Sequence, residues 1–228
     1  MNTGSRKCIL VHGGMSGSVQ WKKIAGYLGK HDISTTSPQL PGMGSENPEG
    51  IDLDDHIAYL SEVIKSSGGD SCVAAFSFGG LAATAACCSC SGYVKRIIYI
   101  DSFFPFPGES FKDIIGKKIS RQIFNILNHT GRKIIPYFLT AEENCISQPA
   151  GTIFTKVNYA VKDLSGLNPH YIRLSGKDPG WTFTPVLDEQ FTKYCSKGFK
   201  YSVIEEAHTL NGRKWNKIAC ELKKLIFE

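Results

Sequence analysis

Hydrophobic residues in this chain form short runs that alternate with longer segments of helical spacing. The short runs are rich in Val and Ile and end at polar or glycine residues, a pattern typical of strands buried in a parallel sheet. Six runs therefore predict strands at Lys7–His12, Ile33–Ser37, Ser71–Phe76, Arg96–Asp101, Tyr171–Ser175 and Tyr201–Glu205.

The segments between these runs predict helices. Their apolar positions recur at helical spacing, and Asp52 is placed to cap the second of them. Alternating strands and helices predict an α/β fold with a mainly parallel six-stranded sheet, and right-handed crossovers would place helices on both faces. The predicted helices are Val19–Leu28, Leu53–Lys65, Phe78–Cys90 and Lys214–Phe227.

The region from Ser102 to Pro169 departs from this alternation. It begins with FFPFPG and contains helical patterns around Lys112–Leu127 and near Thr152–Asp163, without a convincing strand between them. Because it is rich in Phe, Ile and Tyr, it predicts a helical insertion that lies over one end of the sheet. We call residues 102–169 the cap, and residues 1–228 would then form one domain that carries it.

Composition allows a compact enzyme-sized protein and excludes some partners. A chain of 228 residues with 42% hydrophobic and 21% charged residues can bury a sizeable core. Its net charge of +5 comes from basic residues scattered among acidic ones, so a nucleic acid partner is not expected.

The cysteines and the apolar segments bear on compartment and membrane. Most of the eight cysteines lie in apolar surroundings, which indicates reduced, buried thiols and a cytoplasmic protein. Cys87, Cys88 and Cys90 lack a second ligand pair at metal-binding spacing, so no metal is expected. The N-terminal apolar run is too short for a signal peptide, and glycines and serines interrupt the uncharged run Ser71–Val94, so neither export nor a membrane span is expected.

A single serine stands out in the stretch AAFSFGGL. The strand SCVAAF ends just before Ser77 and the alanine-rich helix begins just after it, so Ser77 lies on a sharp strand-to-helix turn. Such a turn lifts a nucleophile above the sheet and needs small residues two positions before and after it, here Ala75 and Gly79. A helix-capping serine would show the same local pattern.

A nucleophilic serine needs a histidine to accept its proton and a carboxylate to orient that histidine. His208, in EEAHTL, follows a late strand at the end of the sheet where ligands bind. Asp178, in the loop SGKDPG, is the preferred acid because its Gly- and Pro-containing loop can turn toward His208. Asp101, directly after the fourth strand, is the second candidate. His12 precedes two glycines and is expected to shape a loop.

An acyl-transfer site also needs donors for the oxyanion of its tetrahedral intermediate. The backbone N–H of Phe78, at the start of a helix, is one candidate. The loop HGGMSG after the first strand supplies the other, with the N–H of Gly14 preferred and that of Met15 next.

These motifs together resemble the α/β-hydrolase superfamily along essentially the whole chain. The matching segments are VHGG, LPGMG at Leu40–Gly44, AFSFGG, YIDSFFPFPGES, SGKD and EAH, in the order that the superfamily shows. The chain looks most like the small-capped branch of plant methylesterases, hydroxynitrile lyases and related bacterial esterases. This resemblance implies the triad Ser77, Asp178 and His208, and a sheet in which the second strand is outermost, followed by the first, third, fourth, fifth and sixth.

The same resemblance favours hydrolysis of an ester over cyanohydrin cleavage. Lyases of this branch carry a threonine and a lysine where this chain has Gly13 and Thr209. The sequence therefore predicts a serine esterase that needs no cofactor and acts on a small or medium apolar ester. A thioester or a lactone is an alternative substrate. The aromatic residues expected to line its pocket are Phe103, Phe104, Phe106, Phe124, Tyr137 and Phe138, with the place of Trp181 undecided.

Three other functions fit parts of this pattern. A catalytically silent receptor or scaffold could keep the fold, and a biosynthetic enzyme could use His208 as a base without hydrolysis. A nucleotide-binding turn is disfavoured because GGMSG lacks the full G-x-G-x-x-G spacing and the chain has no phosphate-binding loop motif.

Overall fold

Six parallel strands form the central sheet of the protein. The computed structural model describes residues 6–45, 47–116, 133–134, 146–176, 183–208 and 215–228. In chain order, β1 to β6 are Arg6–Val11, Ile33–Thr36, Ser71–Phe76, Val94–Ile100, His170–Leu174 and Lys200–Ile204. The sheet order is β2-β1-β3-β4-β5-β6, and each neighbouring pair is parallel. The predicted fold class, strands and strand order are confirmed.

Helices α1 (Lys22–Gly29), α2 (Leu53–Ser66) and α3 (Gly79–Ser89) follow the first three strands. A 3-10 turn, Ser18–Trp21, precedes α1, so the predicted helix Val19–Leu28 begins with a tighter turn. Asp52 caps α2 as predicted, because its carboxylate accepts hydrogen bonds from the N–H groups of Asp54 and Asp55 at 2.8 and 3.4 Å.

Two more helices follow later in the chain. The C-terminal helix Trp215–Phe227 was predicted, whereas the helix Thr184–Cys195 was missed. The helix Thr184–Cys195 has a proline in its first turn, which is typical of a helix start, and it buries the residues at positions 186, 187, 190 and 194. The polar Gln190 on the buried face weakens the apolar pattern, but its amide oxygen accepts the N–H of Phe104 at 3.1 Å.

The sheet buries both of its faces. Side chains alternate along β1, so that Ile9 and Val11 join one core while Cys8 and Leu10 join the other. Helices α2 and α3 supply residues to the first core, and α1 and the C-terminal helix supply residues to the second. The fully buried β3 lies between β1 and β4, so its carboxyl end is near the middle of the sheet edge.

The described part of the cap is more extended than the sequence predicted. It contains helical residues 111–116, a 3-10 turn Ala150–Ile153 and a short helix Val161–Gly166. The predicted helix near Thr152–Asp163 is wrong, because Lys156–Val157 pairs antiparallel with Glu109–Ser110. Another short antiparallel pair joins Lys133–Ile134 to Gln148–Pro149, and most of the predicted helix Lys112–Leu127 lies outside the described residues.

The described part of the chain contains no helix that is long and apolar enough to cross a membrane. Its cysteines form no disulfide, and the same residues include no group of three or more His, Cys, Asp or Glu side chains that could hold a metal ion. Burial raises the pKa of the Cys8 and Cys87 thiols, so these two sulfurs stay protonated and unreactive.

We expect Gly79→Ala to destabilise the protein by about 2 kcal/mol. A Cβ at this position would lie 2.4 Å from the carbonyl oxygen of His12, so α3 would have to move away from the end of β1. Gly26→Ala is the matched control, since a Cβ at Gly26 meets nothing within 4 Å and alanine favours the helix by about 1 kcal/mol. Urea unfolding measures both changes, and equal stabilities of the two variants would contradict this packing.

Candidate active site

Ser77 lies on the turn between β3 and α3, as the sequence predicted. Its φ of +50° is in the left-handed region, which is strained for a residue with a side chain. Three donors hold the turn through the carbonyl oxygen of Ser77: the N–H of Gly80 at 3.2 Å, the N–H of Phe103 at 3.0 Å and the hydroxyl of Ser102 at 2.7 Å. The turn therefore stays in a conformation that lifts the serine above the sheet.

The side chains of Ser77, His208 and Asp101 lie in a row. Nε2 of His208 is 3.0 Å from Oγ of Ser77, and Nδ1 of His208 is 2.5 Å from Oδ2 of Asp101. The imidazole stacks on the ring of Phe76, with ring centroids 4.7 Å apart, so its plane is fixed. With the Nδ1 proton donated to the carboxylate, Nε2 is free of a proton and can accept the hydroxyl proton of Ser77.

Asp101 follows β4 directly and is fully buried. Its second oxygen, Oδ1, accepts hydrogen bonds from the N–H of Leu174 at 3.2 Å and from the guanidinium of Arg173. Arg173 also binds Asp188 through Nη2 at 2.5 Å. Although burial opposes its charge, the carboxylates of Asp101 and Asp188 raise the pKa of Arg173, so this positive charge compensates the buried carboxylate.

Among the described residues, the carboxylate that contacts His208 is that of Asp101, the second candidate. Asp178 lies outside the described residues, so its predicted role stays a prediction. A sequence signal that favours Asp101 is Arg173 inside the apolar strand HYIRL, because a buried arginine needs a carboxylate nearby.

The loop after β1 lies against the start of α3. A Cβ at Gly14 would lie 3.1 Å from the Cβ of Phe78, so the two predicted oxyanion donors are on neighbouring residues. A Cβ at Gly13 would lie 2.9 Å from the ring of Phe76, which explains the glycine there. The N–H of Met15, the other loop candidate, donates to Oε1 of Gln148 at 3.1 Å. With the N–H of Met15 engaged, the N–H of Gly14 stays the predicted donor of this loop.

His12 shapes this loop, as expected. Its Nε2 accepts the N–H of Leu40 at 3.1 Å, so its proton is on Nδ1, which donates to the carbonyl oxygen of Gly13 at 2.9 Å. Burial lowers the pKa of His12 to about 4. The nearby His56 donates from Nε2 to the carbonyl oxygen of Pro41 at 2.9 Å. His12 thus connects the loop after β1 to the segment that follows β2, and His56 connects that segment to α2.

Aromatic side chains lie next to the site. Phe111 contacts Phe78 and Phe103, with ring centroids 5.0 and 4.9 Å apart, and Phe183 stacks beside Phe111. Of the predicted pocket residues, Phe103 belongs to this cluster. Phe104 packs instead on core residues Tyr99 and Tyr194, and Phe106 packs on Phe104. The remaining predicted residues, Phe124, Tyr137, Phe138 and Trp181, lie outside the described residues.

Sequence and structure comparisons identify the family and the fold. The model of the alpha/beta hydrolase family matches residues 8–208. No curated protein sequence matches the chain. Among solved structures, an extracellular α/β-hydrolase from a Paenibacillus species, described as homologous to tobacco Salicylic Acid Binding Protein 2, is similar with a TM-score of 0.79 and 18% identity, over 96% of this chain and 98% of that one.

Two plant proteins are similar as well. Tomato methylketone synthase I, solved as a variant with β-ketoheptanoate, superposes with a TM-score of 0.78 and 14% identity over 97% of this chain and 98% of the other. A methylesterase from Arabidopsis superposes with a TM-score of 0.73 and 14% identity over 97% of this chain and 99% of the other. At these identities the likeness establishes the shared fold.

We expect the free energy of unfolding to fall as the pH decreases from about 6.5 toward 4. His12 is neutral in the folded protein because burial lowers its pKa to about 4, whereas an unfolded histidine titrates near 6.5. The unfolded chain therefore binds a proton first, which removes about 3 kcal/mol of stability across this window.

Urea unfolding of the wild type and of His12→Gln at about pH 7 and about pH 4.5 measures this contribution. Burial also lowers the pKa values of His56 and His170, but both residues are present in the two proteins and cancel in the comparison. The variant should show the smaller change with pH. Equal changes in the two proteins would contradict the role given to His12.

Proposed function

Because the chain belongs to the alpha/beta hydrolase family, we propose that it is a serine hydrolase that cleaves a small or medium apolar carboxylic ester. The observation that supports this most directly is the row of Ser77, His208 and Asp101, with adjacent polar atoms 3.0 and 2.5 Å apart. A serine hydroxyl in such a row is an activated nucleophile.

The proposed reaction has two halves. Oγ of Ser77 attacks the acyl carbon while Nε2 of His208 takes its proton. The tetrahedral intermediate then collapses, the bond from the acyl carbon to the alkoxy oxygen breaks, and His208 gives the proton to the leaving alcohol. Water attacks the acyl-enzyme with the same proton transfers and releases the acid.

We assign the oxyanion to the N–H groups of Gly14 and Phe78. Their residues are neighbours in the structure, and Phe78 lies at the start of α3, where backbone N–H groups favour negative charge. Two donors held in place before the reaction stabilise charge that develops only in the transition state, which raises the rate without tightening substrate binding.

We assign the acid to Asp101. Its carboxylate holds the Nδ1 proton of His208, and Arg173 and the N–H of Leu174 hold its other oxygen. The family resemblance implies Asp178 as the acid instead. The two assignments predict opposite results for substitutions at these residues.

Apolar surroundings support an apolar substrate. Phe78, Phe103, Phe111 and Phe183 form a continuous aromatic cluster around the start of α3. Such walls bind acyl or alkyl groups by burying their surface, while the oxyanion donors recognise the carbonyl. A thioester or a lactone presents the same carbonyl and belongs to the proposed class. We place the enzyme in the cytoplasm, with residues 102–169 as a cap within one domain.

A non-hydrolytic reaction is the second candidate. The similar methylketone synthase was solved with β-ketoheptanoate, a keto acid with a short alkyl chain. In the present site His208 could move a proton for such a substrate without an acyl-enzyme. Labelling by a fluorophosphonate separates the two, because only a nucleophilic Ser77 is phosphonylated while losing its proton and displacing fluoride.

We expect Ser77→Ala to lower kcat for p-nitrophenyl acetate by roughly 10⁴-fold or more, because the variant cannot form the acyl-enzyme. It should also lose fluorophosphonate labelling. The matched control is Ser91→Ala, at an exposed serine of the same protein, which should keep both. Turnover by Ser77→Ala close to that of the wild type would remove Ser77 from the mechanism.

Asp101→Asn should lower kcat by about 10³- to 10⁴-fold. The amide group would donate to Nδ1 of His208, which places the ring proton on Nε2 and blocks transfer from Ser77. Asp178→Asn should stay within about tenfold of the wild type. Circular dichroism must show that Asp101→Asn folds, since this residue also pairs with the buried Arg173. A greater loss in Asp178→Asn would return the acid role to Asp178.

A further inference from the structure

The cap binds both backbone polar groups of Met15 in the loop after β1. The N–H of Met15 donates to Oε1 of Gln148 at 3.1 Å, and its carbonyl oxygen accepts the N–H of Ile146 at 3.0 Å. Met15 has a φ of +51°, a conformation that costs free energy in a residue with a side chain. The loop therefore needs external contacts to keep this shape, and residues 146 and 148 of the cap supply them.

The side chain of Gln148 is itself oriented by a second hydrogen bond. Its Nε2 donates to Oγ1 of Thr152 at 2.9 Å, and the hydroxyl of Thr152 donates to the carbonyl oxygen of Pro149 at 2.7 Å. Since the hydroxyl proton of Thr152 is used on Pro149, its oxygen accepts from the amide nitrogen of Gln148. The amide oxygen consequently faces Met15. Gln148 is 2% exposed and Thr152 is fully buried, so water does not compete for these bonds.

Gly14 lies between this amide and the helix start. A Cβ at Gly14 would lie 2.8 Å from Oε1 of Gln148 and 3.1 Å from the Cβ of Phe78. The hydrogen bond to Gln148 engages the N–H of Met15 and thereby fixes the peptide plane between Gly14 and Met15. The preceding peptide carries the N–H of Gly14. This N–H is then the loop donor that remains beside Phe78 for an oxyanion.

We propose that Gln148 is a positioning residue for the oxyanion site, through which the cap selects the N–H of Gly14 rather than that of Met15 as the loop donor. The inference rests on the proposed hydrolase function. It gives the cap a role in the chemical step. Gln148 acts through the loop and does not touch the reacting atoms.

A hydrogen bond from Gln148 that contributed to folding alone would have a different kinetic effect. Its loss would lower stability or loosen substrate binding, which raises KM. A misplaced oxyanion donor instead lowers kcat and leaves KM nearly unchanged, because the donor acts on charge that appears in the transition state. Transition-state analogues should weaken by the same factor.

Two pairs of variants test the proposal with p-nitrophenyl butyrate as substrate. Gln148→Met keeps the length of the side chain and removes the acceptor, and Thr152→Val removes the hydroxyl that orients the amide. Each should lower kcat by about 10- to 100-fold, with KM within about threefold of the wild type. The matched controls are Thr152→Ser, which keeps the hydroxyl, and Ser147→Ala.

Ser147→Ala removes a different tie between the cap and the sheet domain, the bond from its hydroxyl to the carbonyl oxygen of Ser45 at 3.1 Å. In both control variants kcat should stay within about twofold of the wild type.

A short-chain alkyl trifluoromethyl ketone provides the second readout. Ser77 adds to its carbonyl carbon, the serine proton moves to His208, and the resulting oxyanion occupies the donor site. Its inhibition constant should rise by the factor that kcat falls, whereas a non-cleavable ether analogue should bind equally well.

The outcomes separate this inference from the proposed function. Unchanged kcat in both Gln148→Met and Thr152→Val overturns the inference and leaves the hydrolase function in place. So does a loss seen only in KM, or an equal loss in Ser147→Ala. If Gln148→Met does not fold, the comparison of Thr152→Val with Thr152→Ser decides. Absence of Ser77-dependent turnover in the wild type overturns the proposed function and this inference together.

Discussion

The fully buried carboxylate of Asp101 is the group on which the arrangement of the site depends. A buried charge is tolerated when hydrogen bonds and an opposite charge replace its hydration. Asp101 has both, from Arg173 and the N–H of Leu174 on one oxygen and from His208 on the other. These partners come from β5 and from the chain after β6, so one carboxylate joins the carboxyl ends of three adjacent strands.

The turn at Ser77 also depends on a few hydrogen bonds to one group. Its carbonyl oxygen accepts hydrogen bonds from Ser102 and Phe103, the first residues of the cap. Farther along, the cap returns to the sheet at Met15 through Ile146 and Gln148. The cap thus contacts both the turn at Ser77 and the loop after β1. The geometry of the site consequently depends on the sheet and the cap together. His12 adds hydrogen bonds to Gly13 and Leu40 that hold the loop after β1.

The parts that sequence reasoning recovered are those with local signals. The central strands β3, β4 and β5 are buried apolar runs, so they were found, and the turn at Ser77 has small residues two positions before and after it. The helix Thr184–Cys195 was missed because Gln190 interrupts its apolar face, and that residue is satisfied by the distant Phe104. The second cap helix was wrong because Lys156–Val157 gains a strand partner from another part of the cap.

Sequence alone determined the α/β architecture, the nucleophile candidate Ser77 and its partner His208, because strand and helix patterns locate the sheet edge where these residues gather. The contact between His208 and Asp101 was decided by tertiary structure, since the two residues are 107 positions apart and meet through the pairing of β4 with β5 and of β5 with β6. The engagement of the Met15 N–H depends likewise on Gln148, which is 133 positions away. Such choices follow from distances of a few ångströms between separate elements, and local residue patterns carry no information about those distances.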